Sequence, residues 1–231
     1  MTQPNLAPNL PWHEIQTVFL DMDGTLLDLH FDHHFWLEYV PQVYAKKNGL
    51  SLEAANQLIH EKIHSQQGTL NWYCLDYWTE VLQLPIAELK REVKHLIQVH
   101  PEVIEFLQTL KAADKRIVMV TNAHRDSLAL KLEETEIEPY FNQLISAHDF
   151  QLPKENPQLW QAIQSVHPYQ PQTTLLIDDN TQALKTAQQY GIQHLLCAQF
   201  VSPKLDQVNC QGFPAFENFQ TLLDTLKKSQ A

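Results

Sequence analysis

Two aspartates two residues apart, Asp21 and Asp23, close a short apolar run (17–20, TVFL) and are followed by Gly24. Carboxylates this close repel and raise each other's pKa unless a positive charge lies between them. A hard divalent cation with oxygen ligands, Mg2+, answers that repulsion. Period two along a strand would send both carboxylates to one side while Met22 points into the packing. Gly24 would let the backbone turn sharply against a ligand. Asp and Gly also favour plain turns, but the apolar strand before the motif and Thr25-Leu26 after it weigh towards a site. A second acidic pair, Asp178-Asp179, ends another apolar run and reads as the other half of the metal site. Aspartates there could merely cap the next helix. Asn180 or Thr181 can do that instead, which frees both acids.

Thr121 and Asn122 end a third apolar run. A hydroxyl and backbone N–H groups at a strand end can donate to phosphate oxygens, although such a dipeptide is often a plain turn. Lys154 sits in a loop just before a helical pattern. Lone lysines are mostly solvent-exposed, but beside four aspartates one would neutralise charge and hold a phosphate as a point cation. The twelve histidines include no HxxxH pair on a convincing helical face, and they read as surface or core residues. The three cysteines, Cys74, Cys197 and Cys210, lie far apart with no CxxC pair, which argues against a zinc site or a disulfide framework. Their odd number, with no signal-like leader, fits a reducing compartment, the cytoplasm.

The chain has 231 residues, 44% of them hydrophobic and 19% charged, enough for one large domain or a domain with an insertion. Its formal charge of −11 argues against nucleic acid or anionic membranes as partners. No apolar run is long enough to span a bilayer. The pattern implies a small-molecule substrate and leaves the oligomeric state open. Residues 1–11, with three prolines, read as an irregular lead-in.

Positioning these residues takes strands buried on both faces, and five short apolar runs supply them: 17–20, 117–120, 143–146, 173–177 and 194–198. Helical patterns lie between: one opened by Pro101 with Val103, Phe106, Leu107 and Leu110 on a face, then 156–166, then 181–190 with Gly191 as its stop. Alternating strand and helix predicts a doubly wound, parallel-sheet α/β core. Residues 30–99 break the alternation and read as helices at 32–48, 51–64, 70–82 and 86–98. This block leaves the carboxyl end of the first strand, where such sheets bind ligands, and is placed to act as a lid. Its dense run Trp72-Tyr73-Cys74-Leu75-Asp76-Tyr77-Trp78 is either helical core or a stacking surface for a base.

The set DMDGTLLD, TN, Lys154 and IDD, in that order, resembles the haloacid dehalogenase (HAD) superfamily of phosphatases. Through LDMDGTLLDL-x-FD-x-x-FW, TLNWYCLDYW, TNAH, KLE and PKE-x-x-x-LW the chain is similar, over roughly residues 12–195, to the GMP/IMP nucleotidase branch of that superfamily. The resemblance implies a Rossmann-like core of 1–29 and 100–231 with an inserted helical type 1 cap of 30–99. It implies Asp21 as the nucleophile forming an aspartyl-phosphate, and Asp23 as general acid and then base. Phosphate would be bound by the Thr121 hydroxyl, the Asn122 amide and Lys154. Mg2+ would be held by the Asp21 carboxylate, the Asp23 carbonyl and Asp179, with Asp178 acting through water. Many relatives carry a further Asp where this chain has Ala183. In the cap, Trp36, Trp72 and Tyr73 are the expected substrate contacts. The implied activity is Mg2+-dependent hydrolysis of a phosphomonoester, a purine 5′-monophosphate (GMP or IMP); the alternative is a sugar-phosphate phosphatase or phosphomutase with the same chemistry.

Overall fold

The computed structural model describes residues 9–230, so most of the proline-rich lead-in lies outside the described residues. Six parallel strands form one sheet in the order β3-β2-β1-β4-β5-β6. They are β1 (Thr17–Leu20), β2 (Arg116–Thr121), β3 (Gln143–Ser146), β4 (Thr174–Asp178), β5 (His194–Ala198) and β6 (Ala215–Phe216). The five expected strands are present, to within a residue at each end. The sixth, two residues long, is too short to carry any periodic signal.

Side-chain alternation splits the core into two layers. Val18 and Leu20 of β1, with Ile117, Met119, Leu175 and Ile177, pack on α6 (Val103–Ala112), α7 (Arg125–Thr135) and α10 (Phe219–Ser229). Phe19, with Val118, Val120 and Leu176, faces the other way onto α8 (Gln158–Val166) and α9 (Thr181–Tyr190). Phe19 lies parallel to Trp160 of α8 at 6.5 Å between ring centroids. The chain reverses its winding between β1 and β4, and the ends of β1, β2 and β4 converge beside that crevice.

Between residues 30 and 96 the chain forms helices joined by turns, with no strand. They comprise α1 (His30–His34), a π-helical turn (Phe35–Tyr39) running on into α2 (Val40–Asn48), then α3 (Leu52–Ser65), α4 (Leu75–Leu82) and α5 (Ile86–Glu92). Ser51 caps α3 by accepting from the Ala54 N–H. The expected helix over 70–82 is broken: 70–73 is a 3-10 turn, and the Cys74 sulfur caps α4. The block buries its own apolar cluster, including Phe31, Phe35, Trp78, Leu82 and Ile86, and Leu130 of α7 joins it. No described helix is long and apolar enough to cross a membrane.

One cysteine expectation is overturned. Cys197 and Cys210 form a disulfide. The loop after β5 turns back alongside it, with Val208 N–H donating to Gln199 O and Cys197 N–H to Pro214 O. That return brings together two cysteines thirteen residues apart. With two of three cysteines paired, the odd count no longer argues for a reducing compartment.

Candidate active site

β1 ends at Leu20, and 21–27 is a tight turn rather than strand, so period two does not govern Asp21 and Asp23. Met22 is fully buried, as expected, but the two carboxylates part company. Asp21 joins Asp178 and Asp179 in a cluster whose carboxylate oxygens lie within 4.8 Å of one another. The Asp23 carboxylate lies outside that cluster and receives Lys131 Nζ at 2.6 Å. That leaves for a metal the Asp23 backbone carbonyl, the atom the resemblance implies.

Lys154 stands where it was expected, just ahead of α8 and beside the aspartates, and it is buried. Its Nζ bridges Asp21 and Asp178, at 2.7 Å from the latter. Asp178 is fully buried and also accepts from the Asn180 N–H at 2.9 Å. Asn180 in turn caps α9 through the Gln182 and Ala183 amides, leaving both aspartates free of that task. Among the described residues Asp179 forms no such ion pair, and feels Lys154 only at longer range. Burial, then the charges of Asp21 and Asp178, push its carboxyl well above the ordinary range. Burial likewise pushes Asp21 up to about 6 against the opposing pull of Lys154. Gly24 has φ +80, and a Cβ there would stand 2.7 Å from Asp179 Oδ2, so the turn leaves room for this carboxylate only because the residue is glycine. Three carboxylates facing one ammonium fit a hard divalent cation.

Thr121 is buried at the end of β2, and its Oγ1 accepts from the Ala123 N–H, keeping its proton for a ligand. The Asn122 side chain is used structurally: Oδ1 accepts from the Lys154 N–H at 2.8 Å and Nδ2 donates to Glu155 at 2.9 Å. Any ligand contact by Asn122 must therefore come from its backbone.

A cavity of about 380 Å³ opens over these groups, within the range of small-molecule sites. Asp21, Asp23, Thr121, Asn122, Lys154 and Asp179 form its floor, and Trp36, Trp72, Tyr73 and Trp78 line it from the helical block. All three aromatic residues expected from the sequence reach it; Asp178 lies beneath, behind Lys154.

Several residues went unread in the sequence. Glu155 accepts from Tyr73 OH and Asn180 Nδ2 through one oxygen and from Asn122 through the other, tying the helical block to the floor. Lys131 and Lys90, each 2% exposed, share Asp32, making a buried chain Asp23–Lys131–Asp32–Lys90 from the floor to α5. The ammonium of Lys90 also lies 4.7 Å from the Phe31 ring centroid. Burial pushes Asp23 up to about 6, whereas Asp32 is held far below its ordinary value because two lysines outweigh its burial. A signal existed for Asp32, Lys131 and Glu155, inside the FD, KLE and PKE motifs, and none for Lys90.

A family model described as haloacid dehalogenase-like hydrolase matches residues 15–191. The chain belongs to the haloacid dehalogenase-like hydrolase family. Among curated HAD-like relatives, it is 38% identical over 218 residues to the GMP/IMP nucleotidase YrfG of Escherichia coli (strain K12), covering 94% of this chain and 98% of that one. It is 23% identical to the pyrophosphatase PpaX of Bacillus pumilus over 77% of this chain and 80% of that one. The solved HAD phosphatase of Thermococcus onnurineus superposes with a TM-score of 0.75 at 20% identity, covering 92% and 98% of the two chains. As a HAD-like hydrolase the chain is an enzyme, and the cleft beneath its aromatic wall is where the family motifs meet.

Proposed function

We propose that this enzyme is a Mg2+-dependent phosphomonoester hydrolase acting on purine 5′-monophosphates, GMP and IMP, through an aspartyl-phosphate. The observation that carries the chemistry is the convergence of Asp21, Asp178 and Asp179 around Lys154 beneath one cavity. Mg2+, held by the Asp21 and Asp179 carboxylates and the Asp23 carbonyl with Asp178 behind, would offset charge repulsion between the nucleophile and the phosphate.

Asp21 attacks phosphorus through a carboxylate oxygen, splitting hydrolysis into two easier steps. Lys154, the Thr121 hydroxyl and the Asn122 amide hold the phosphoryl oxygens, where charge neutralisation does most of the work. Asp23, whose pKa is raised to about 6, protonates the departing 5′-oxygen and then takes a proton from the attacking water. Residues 30–99 act as the cap that excludes bulk water during these steps.

Support for a purine comes from the cavity walls and from the similarity to the GMP/IMP nucleotidase. Trp36, Trp72, Tyr73 and Trp78 offer aromatic faces, and among the described lining residues Lys154 is the sole lysine or arginine. A second phosphate would find no cation there, which disfavours a bisphosphorylated sugar. The reading assigns the enzyme to the cytoplasm, where nucleoside monophosphates are made and consumed. A panel of phosphomonoesters at saturating Mg2+ tests it. Preference for GMP and IMP over hexose phosphates by at least tenfold in kcat/KM is the expected result; an equal or reversed preference contradicts the purine assignment.

A further inference from the structure

Away from the carboxylates, three softer ligands meet at the seam between the helical block and the core. Cys74 lies at the start of α4, His124 caps α7, and His148 sits in the 3-10 turn after β3. The Cys74 sulfur and a nitrogen from each imidazole all lie within 4.8 Å of one another. The two rings meet edge to face, 5.1 Å between centroids. Asp76, two residues after Cys74, places Oδ2 3.5 Å from His124 Nε2.

His148 supplies the second, independent observation. Its Nε2 is buried and has no hydrogen-bond partner among the described residues. The ring instead makes a backbone hydrogen bond at Asn122, which leaves the Nε2 lone pair bare. A buried acceptor without a donor bears its full desolvation cost, and a cation would remove it. His124 Nδ1 accepts from the Asp126 N–H at 3.3 Å, with the Asp126 carboxylate 3.8 Å away; with a metal on Nε2, the ring would trade that bond for one from Nδ1–H to the carboxylate, the outer partner that metal-bound imidazoles commonly have.

We propose that Cys74, His124 and His148, with Asp76 as fourth ligand, form a binding site for a borderline-soft divalent cation, Zn2+. One thiolate, two imidazoles and a carboxylate are a tetrahedral zinc set, and this chemistry selects against Mg2+ as surely as the carboxylate cluster selects for it. On binding, the Cys74 thiol releases its proton to solvent and the sulfur bonds to the metal. Cys74 and Asp76 belong to the helical block, and the two histidines belong to the core. Their neighbours Tyr73 and Ala123 line the cavity, so occupancy fastens the block to the core at the cavity rim. The site does not depend on what the cavity binds.

Cobalt(II) is the probe, added to full-length reduced protein at saturating Mg2+ so that the carboxylate cluster is filled. The expected result is one cobalt per chain with a thiolate-to-metal charge-transfer band, displaced by one equivalent of Zn2+. Cys74→Ser should abolish the band while keeping Mg2+-dependent phosphatase activity, and His148→Gln should weaken cobalt binding by about 10–100-fold. Zn2+ should raise the melting temperature of the wild type and not of either variant. Absence of the band in the wild type, or its survival in Cys74→Ser, overturns the proposal. So does unchanged affinity in His148→Gln, which would mean that scattered histidines hold the metal.

Discussion

Two buried ionic clusters flank the turn after β1, and their charge balances differ. On one side Asp21, Asp178 and Asp179 face a single cation, Lys154. On the other, Asp23 and Asp32 face Lys131 and Lys90. The second cluster is complete within the chain: each carboxylate has an ammonium, and the two lysines join α5 and α7 through Asp32. The first is short of two positive charges, and its unmatched member, Asp179, is the one beside Gly24. Burial without compensation costs several kcal/mol per ion. A folded protein tolerates such a deficit where a ligand makes it good, so the imbalance marks the reactive side of the turn and the balance marks the architectural side.

The largest expected effect lies in the unbalanced cluster. Asp21→Asn should lower kcat for GMP by at least about 10³-fold while leaving the protein folded, as read by steady-state assay and by a cooperative thermal unfolding transition. Substantial residual turnover would rule out the covalent route. The balanced cluster should respond the opposite way. Lys131→Met strands two buried carboxylates on one lysine and should cost about 3–5 kcal/mol in denaturant unfolding. Mg2+ should not restore that loss; rescue by Mg2+ would erase the distinction between the clusters. Gly24→Ala pushes a methyl group towards Asp179 and should weaken Mg2+ by about 10–100-fold with a smaller effect on stability. Unchanged Mg2+ affinity would detach Asp179 from the metal.

The two clusters were also unequally legible. Asp21, Thr121 and Asp178 sit at strand ends, where short apolar runs give a sharp boundary, and Gly24 and Asn180 carry recognisable turn and cap chemistry. That is why five strands and the floor of the site could be read from one sequence. Lys131 could not be placed, because α7 has no single apolar stripe: Leu128 and Leu132 pack on the sheet while Leu130 faces the helical block. A helix buried on two sides loses the periodicity that would announce it. Glu155 and Lys90 act only through partners from distant segments, which spacing does not encode. The same holds for Cys197 with Cys210, and for Cys74 with His124 and His148, whose juxtaposition belongs to loops rather than to motifs.

The charge deficit also sets a pH dependence. Asp21 has a folded-state pKa raised from its ordinary 3.8 to about 6, and Asp179 is raised well above its ordinary value by burial and its acidic neighbours. Groups raised on folding stabilise the protein below their unfolded pKa and lose that contribution as pH climbs through the folded value. Mg2+-free protein should therefore lose stability from these groups as pH rises from about 4 through about 6, and added Mg2+ should restore it. The gain in melting temperature on adding Mg2+ should grow across that window; a gain independent of pH would contradict the assignment.

The most direct test of the charge deficit is a calorimetric titration of Mg2+ into wild type and Asp179→Asn near neutral pH. The account predicts one Mg2+ per wild-type chain and loss of that binding in Asp179→Asn, whose metal-free form melts higher than the metal-free wild type. Equal Mg2+ affinity in the two proteins, or none in the wild type, would contradict it.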